Sequence, residues 1–302
     1  MTDALLFPGL TPAKHRRVER FLRRYPGARS RFDECSDVLG YDLEERYQTA
    51  DIYDWETYEV AFLAINLAVV DWTREETGVD PAVVCGQSFG GYCAVVAAGS
   101  LALADMVSLL SRSARAEHAY FSALQQQLAC VFFSRIGDTD VDDLIARATR
   151  EGGWAELSVQ HDHGIYAVSG TAEAIGRLET EVRARRGLVY YTVNRAEHCP
   201  RMHPVRALVE REVYAGLPFA APGKVFVSDV TGGVVATGAG IRSDLLDGWT
   251  HPTVAHVLYD GLERLGVDRL VIPGPRGAFR RHGMGRFEIV GVSPADVSEA
   301  VR

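Results

Sequence analysis

The residues best placed to do chemistry lie in the stretch CGQSFGGYC at positions 85–93. The letters GQSFG match the pattern G-x-S-x-G, which usually places a nucleophilic serine, here Ser88, on a tight turn between a strand and a helix. A serine hydroxyl is a weak nucleophile at neutral pH, so it needs a nearby base and donors for the developing oxyanion. The turn would supply the backbone N–H of Phe89, and the glycine turn FPGL near the start would supply that of Leu10.

The base should be one of the nine histidines. His198 stands out because it lies in NRAEHCPRMHPV, where two predicted parts of the chain meet. Loops at such junctions can line a cleft. His161 and His163 would share one face of an extended strand, but no third metal ligand is evident. Its position therefore favours His198 over the other histidines as the base, and no metal site is predicted.

The elements around Ser88 predict an α/β fold. Positions 81–86 are typical of a short buried strand, and the apolar spacing over Tyr58–Gly78 predicts a helix that ends at its glycine. Positions 126–194 have the order βαββαβ, which is the ferredoxin-like arrangement. We therefore predict a large α/β-hydrolase-like domain with a parallel sheet, formed by residues 1–125 and 195–302, with residues 126–194 inserted as a ferredoxin-like subdomain.

Composition narrows the class of protein. The chain has 302 residues, 47% of them hydrophobic, and no run of about 18 apolar residues that would span a membrane. Its start lacks the pattern of a signal peptide. The five cysteines are an odd number without a C-x-x-C motif, which is typical of free thiols in a reducing compartment. The net charge of −8 predicts no attraction to nucleic acid or membranes. We expect a cytoplasmic monomer.

At these residues the chain resembles the malonyl-CoA:acyl carrier protein transacylases and the acyltransferase domains of polyketide synthases. The resemblance is to a discrete, trans-acting member with an atypical acyl pocket. The matching blocks follow the family order: FPG, GVDPAVVCGQSFGGYCAVVAAGSLALADMV, YAVSGTAEAI, HCPRMHPV, SDVTG and HPTVAHVLYDGLERLGVDRLVIPGP. The resemblance implies ping-pong transfer between thioesters through an acyl-Ser88 ester, with His198 as base. It also implies that a backbone carbonyl near Gly248 orients the histidine. It implies no cofactor, because the acyl carrier protein brings its own phosphopantetheine arm.

The chain departs from the family pattern at positions that would line the acyl pocket, namely Leu10, Phe62, Gln87, Ser113, Ile165 and Glu197. Ser113 falls where the family has an arginine that pairs with the substrate carboxylate. A buried carboxylate without such a cation is costly. The departures therefore predict a non-carboxylated acyl group that is neutral and bulky. If Glu197 faces the pocket, a cationic aminoacyl group would fit; the alternative is that Glu197 is a loop acid facing solvent.

Several functions remain open. The first is transfer of such an acyl group from a thioester donor onto an acyl carrier protein in polyketide biosynthesis. The second is an acyl carrier protein hydrolase that uses the same serine and histidine. A degenerate scaffold that binds carriers and an ordinary lipase or esterase are weaker alternatives. Carrier proteins are acidic, so three basic stretches at 14–24, 183–186 and 276–286 could dock one. In the last of these we predict Arg280 and Arg281 as docking residues.

Overall fold

The computed structural model describes residues 2–11, 13–274, 283 and 285–301. Arg280 and Arg281 lie outside the described residues. The strands are Asp3–Phe7 (β1), Val83–Gly86 (β2), Leu128–Ser134 (β3), Ala155–His161 (β4), Ile165–Thr171 (β5), Leu188–Val193 (β6), Val225–Val227 (β7), Val234–Val235 (β8), Thr253–Val254 (β9), Arg269–Pro273 (β10) and Glu288–Val292 (β11). The α-helices are Glu19–Arg24 (α1), Pro26–Leu39 (α2), Leu43–Thr49 (α3), Trp55–Thr77 (α4), Gly90–Ala97 (α5), Leu103–Ala123 (α6), Asp138–Ala148 (α7), Ala172–Ala184 (α8), His203–Glu212 (α9), Gly238–Asp247 (α10), Ala255–Arg264 (α11) and Pro294–Ala300 (α12).

The first sheet has the strand order β11-β10-β1-β2-β7-β8. Neighbouring strands are parallel except for β7 and β8. Helices such as α4 and α11 cover its two faces with separate apolar clusters, as a parallel sheet requires. The predicted α/β class with a parallel sheet is therefore confirmed. In its register, Phe7 at the end of β1 stands beside Gly86 at the end of β2, so both strands deliver their carboxyl ends to the turn at Ser88.

The second sheet has the order β6-β3-β5-β4-β9. Its elements β3-α7-β4-β5-α8-β6 follow one another as βαββαβ, and β3 to β6 are paired antiparallel. Successive side chains alternate across this sheet: Phe133 packs among the residues of α7 and α8, whereas Phe132 faces the other way. One face therefore builds a small core and the opposite face is free to line a cleft.

Strand β9 ties this sheet to the rest of the chain. It lies after α10 in sequence, yet it pairs parallel with β4 through Val159 and Thr253. The division of the chain at residues 126 and 194 stays a prediction.

Helix α4 is long because its ends are capped and residues 55–70 are buried on every side. The Asp54 side chain accepts from Thr57 N–H at the start, and Gly78 ends the helix with φ of 68°. The sequence prediction began three residues late because the apolar spacing gave no signal for the cap.

Among the described residues, no helix is long and apolar enough to cross a membrane. A cytoplasmic location stays a prediction.

The two glycines of GQSFG are required by close packing. A Cβ built on Gly86 would lie 2.0 Å from the Gly90 carbonyl carbon, and one on Gly90 would lie 2.2 Å from Phe7 O. Those are backbone atoms, which cannot move aside as a flexible side chain can. The glycines therefore let β1, β2 and α5 approach closely enough to form the turn.

We expect Gly90→Ala to destabilise the protein by about 1–3 kcal/mol, because the added methyl overpacks against backbone. Gly176→Ala is the matched control: it lies within α8 with open space around its Cβ, so the same change should stabilise by up to about 1 kcal/mol. Urea unfolding midpoints measure both. Equal, small shifts for the two variants would show that the turn tolerates a Cβ.

Candidate active site

Ser88 sits on a strained turn between β2 and α5. Its φ of 52° is in the left-handed region that non-glycine residues rarely adopt. Its backbone N–H donates to Asp229 Oδ2 at 2.7 Å, and Gly9 lies against it, with a Cβ position 3.7 Å from that of the serine. Contacts from two distant segments of the chain thus hold the serine in place. Such held strain is common at functional sites.

A histidine meets this serine at hydrogen-bond distance. Ser88 Oγ lies 2.7 Å from His198 Nε2, and His198 Nδ1 lies 2.6 Å from the carbonyl oxygen of Gly248. A carbonyl oxygen can only accept, so Nδ1 must carry the proton. Nε2 is then the free acceptor, which is the tautomer that can take a proton from the serine. The structure brings together the three residues that the sequence proposed for this role.

The backbone before His198 is clamped on several sides. The carbonyl of Glu197 accepts from the hydroxyls of Ser158 and Ser169, at 2.7 and 2.9 Å, and its N–H donates to Ser169 Oγ. Ser158 is an extra residue in β4, a β-bulge that turns its side chain toward this loop. His198 itself has φ of 54°. The second sheet therefore fixes the position of the histidine that serves a serine on the first.

The predicted oxyanion donors lie at the site. Phe89 follows the serine, and Leu10 follows Gly9, the residue packed against Ser88. Neither backbone N–H donates to another described residue. Both are therefore free for a substrate oxygen, and their roles stay predictions.

Two cavities meet at Ser88. The smaller encloses about 60 Å³ and the larger about 330 Å³; Ser88, Phe89, Arg195 and Glu197 line both. The larger lies in the cleft beneath the second sheet and is lined by aromatic and aliphatic side chains, among them Tyr58, Phe132, Ile165, Tyr190 and Tyr191. The smaller is lined by five carboxylic acids, namely Glu59, Glu117, Glu197, Asp229 and Asp244. Such a shape suits an acyl group on one side of the serine and a flexible arm on the other.

An ionic cluster, formed by Arg195, Glu59, Glu117 and Glu197, stands between the two cavities. Arg195 Nη1 lies 3.0 Å from Glu59 Oε1 and 2.9 Å from Glu117 Oε2, while its Nε lies 3.3 Å from Glu197 Oε2. Its guanidinium also lies 4.6 Å from the centre of the Trp55 ring. The arginine is 9% exposed and both helical glutamates are 3% exposed. One buried cation is therefore shared by three carboxylates.

The chain is similar over most of its length to proteins of known function. No protein-family model matches the chain. The malonyl CoA-acyl carrier protein transacylase of Escherichia coli is 26% identical over 282 residues, covering 90% of this chain and 88% of that protein. Polyketide synthase GfsB of Streptomyces halstedii is 32% identical over 212 residues, which are 68% of this chain but 4% of that protein. The homologues are malonyl-CoA:acyl carrier protein transacylases and polyketide synthase acyltransferases. The chain is an acyltransferase, as the sequence predicted.

Solved structures share the fold of this acyltransferase. The malonyl-CoA:acyl carrier protein transacylase from Xanthomonas oryzae is 24% identical with a TM-score of 0.85, covering 100% of this chain and 98% of that one. A type II polyketide synthase acyl carrier protein in complex with its malonyl-transacylase gives a TM-score of 0.85 at 21% identity, covering 100% and 99%. These similarities extend over the whole chain, including both sheets.

The predicted pocket residues divide into two groups. Ser113 lines the smaller cavity, Ile165 the larger, and Glu197 both. Gln87 and Phe62 line neither described cavity: Gln87 is 1% exposed, and the Phe62 ring packs edge-on against Phe89 at 5.6 Å. Gln87 and Phe62 therefore pack behind the residues that line the cavities.

The sequence argument missed the charges. It noted that Ser113 stands where the family has a cation and that Glu197 adds an acid, but it did not find Arg195, which enters the site from the loop before His198. Helix periodicity cannot place a loop residue. One signal was available for Glu59, the only charged residue between Glu56 and Asp71 in an apolar helix. No comparable feature of the sequence marked Asp229 as a residue of the site.

Burial and crowding keep several of these acids partly protonated. Burial, with neighbouring carboxylates adding to it, raises the pKa of Glu117 to about 8, although Arg195 acts against the rise. Burial likewise raises the pKa of Asp229 to about 7 and that of Asp244 to about 6. The pKa of Glu59 is raised by burial too. The acidic cavity therefore lacks a second cation that would let all its carboxyls ionise.

The stability of the acyltransferase should fall between about pH 5 and pH 8. A raised native pKa means that the stabilising contribution of Glu117 is complete below the unfolded pKa of about 4.3 and is lost as the pH rises through about 8. Glu117→Gln cannot ionise, so its melting temperature should decline less over this range. Glu56→Gln, a glutamate outside the cavities, is the control. Parallel declines for wild type and Glu117→Gln would contradict the assignment.

Removal of either member of the serine–histidine pair should stop acylation. Ser88→Ala should give no acyl-enzyme adduct by mass spectrometry of the intact protein. His198→Ala should slow adduct formation roughly 10²- to 10⁴-fold, the usual contribution of a general base. His203→Ala, five positions along and exposed, should acylate like the wild type. An adduct that survives in Ser88→Ala would place the nucleophile elsewhere.

Proposed function

We propose that this acyltransferase moves a non-carboxylated acyl group between thioester carriers and onto an acyl carrier protein, through an acyl-Ser88 intermediate. The homologues support acyl transfer onto an acyl carrier protein in fatty acid or polyketide synthesis. The observation that carries the substrate proposal is the ionic cluster, in which Arg195 is already paired with Glu59, Glu117 and Glu197.

The reaction has two balanced halves. Ser88 Oγ attacks the thioester carbonyl while His198 Nε2 takes its proton. The oxyanion develops toward the N–H groups of Phe89 and Leu10, and the C–S bond then breaks. The leaving thiolate takes the proton from His198, which frees the donor carrier. The thiol of the acceptor's phosphopantetheine arm next gives its proton to His198 and attacks the ester carbonyl. The bond between the acyl carbon and Ser88 Oγ then breaks, and Oγ takes the proton back from His198.

A malonyl group would meet the wrong charges. Its carboxylate would enter a cavity lined by five carboxylic acids, and the guanidinium there is already paired with Glu59, Glu117 and Glu197. Two like charges about 4 Å apart repel by roughly 4 kcal/mol at an effective dielectric of about 20. To pair with Arg195, the malonyl carboxylate would have to break one of the existing ion pairs. A malonyl thioester should therefore react slowly.

A cationic aminoacyl group is the substrate that these charges favour. An ammonium in the smaller cavity would stand among acids whose pKa values are raised by burial and by neighbouring carboxylates. Charge-assisted hydrogen bonds to carboxylates are about twice as strong as neutral ones. The smaller cavity would hold the acyl group, and the larger aromatic cavity would hold the phosphopantetheine arm.

Competition between acyl thioesters tests this proposal. We expect a β-alanyl or 3-aminobutyryl N-acetylcysteamine thioester to label Ser88 in preference to malonyl-CoA. Glu59→Gln should raise the KM for the aminoacyl thioester by about 10- to 100-fold, in line with one lost charged hydrogen bond, and leave acetyl loading unchanged. Glu56→Gln lies one turn earlier on the same helix, is bonded to Arg115 instead, and serves as control. Efficient malonyl labelling would refute the proposal.

Hydrolysis is the second candidate function, because it uses the same Ser88 and His198 with water as the acceptor. The two are separated by omitting the thiol acceptor and following the acyl-enzyme with time. A stable adduct that discharges only when a holo carrier is added indicates transfer. Release of free acid at the turnover rate without a carrier indicates a hydrolase.

A further inference from the structure

We propose that the acyl carrier protein docks on a surface at the edge of the second sheet, formed by Arg135, Arg186, Leu188 and Tyr190. This carrier surface rests on the proposed function, because it supplies the partner of the same active site. Arg280 and Arg281, the docking residues predicted from the sequence, lie outside the described residues and stay a prediction. Its residues come from the end of β3 and the start of β6.

Strand pairing brings the two arginines together. Ser134 pairs with Leu188 in the antiparallel register of β3 and β6. Arg135 directly follows the first of these residues and Arg186 lies two positions before the second, so both are at the same end of the sheet. Both have left-handed backbones, with φ of 65° and 63°, and both are exposed. Two exposed cations thus lie at the same end of this sheet.

These two arginines differ from the other basic residues nearby. Within RARR, Arg183 pairs with Glu179 at 2.9 Å, and Arg185 pairs with Asp143. Neither Arg135 nor Arg186 forms an ion pair with any described residue. In a chain of net charge −8, exposed cations without internal partners are suited to an acidic surface on another molecule.

Apolar side chains continue the surface toward the active site. Leu188 and Tyr190 are 38% and 48% exposed, although both belong to β6, an edge strand. Tyr190 is the extra residue of a β-bulge opposite Phe132 and Phe133, and its hydroxyl lies 2.8 Å from Ser134 Oγ. The bulge turns the ring into the lining of the larger cavity, which ends at Ser88.

The surface therefore combines what a carrier protein requires. Two cations face an acidic partner, an apolar patch lies beside them, and a cavity leads from that patch to the nucleophile. A carrier seated here would deliver its arm directly into the larger cavity. A second copy of this chain is the competing occupant, since an exposed edge strand can also pair with its own kind.

Binding and catalysis measured separately test the proposal. The host's own purified acyl carrier proteins, in apo form, are titrated against wild type and against Arg135→Glu/Arg186→Glu. We expect the variant to raise the Kd of the best binder at least 10-fold at low salt, with the gap shrinking as salt screens the charges. Arg150→Glu is the control: it makes the same kind of charge change on an exposed arginine after α7, an 11-residue helix of about 16 Å that separates it from Arg135.

A small thioester separates docking from chemistry. Ser88 labelling by an aminoacyl N-acetylcysteamine thioester needs no carrier, so both charge-reversal variants should label like the wild type. Leu188→Ala should weaken carrier binding and leave labelling unchanged. An unchanged Kd in Arg135→Glu/Arg186→Glu, or no binding of any host carrier to wild type, would overturn the surface. A dimer that Leu188→Ala converts to monomer would assign it to a second copy. Loss of labelling in the wild type would instead overturn the proposed function.

Discussion

The backbone of Ser88 is the constraint on which the rest of the site depends. A serine with φ of 52° is unfavourable in isolation, and it persists because the surrounding backbone leaves it no alternative. Gly86 and Gly90 let the strand ends and the helix close to within backbone contact, and the Asp229 carboxylate holds the serine N–H. Every other functional group is positioned relative to this turn.

The histidine depends on a different part of the chain. Its loop is held by hydroxyls from β4 and β5, by the carbonyl of Gly248, and by the pairing of β9 with β4. The catalytic pair thus joins a parallel sheet to an antiparallel one. A small rotation of one sheet against the other would lengthen the 2.7 Å contact between Ser88 and His198. Strand β9 opposes that rotation because it belongs to the second sheet, while α10 and α11 on either side of it pack with the elements of the first sheet.

In the proposed function, charge determines which acyl group the pair of Ser88 and His198 acts on. A cation shared among three carboxylic acids, two of them buried, contributes little net attraction for an anion. Breaking such a cluster is costly, since removing one partner leaves another charge buried and unpaired. The same cluster therefore stabilises the loop that carries His198 and, in the proposed function, selects the acyl group. Arg195 serves both purposes because it lies three residues before the histidine and lines both cavities.

The sequence by itself determined the α/β class, the parallel sheet and the turn at Ser88, because those follow from short-range patterns of apolar residues and glycines. It led to His198 and Gly248 through family order along the chain. It did not lead to the charges of the acyl cavity. Arg195 meets Glu59 across 136 residues and Glu117 across 78, and local periodicity carries no information over such separations. Only the packing of a loop against two buried helices decided that the arginine is paired with carboxylates, and the proposed substrate preference rests on that pairing.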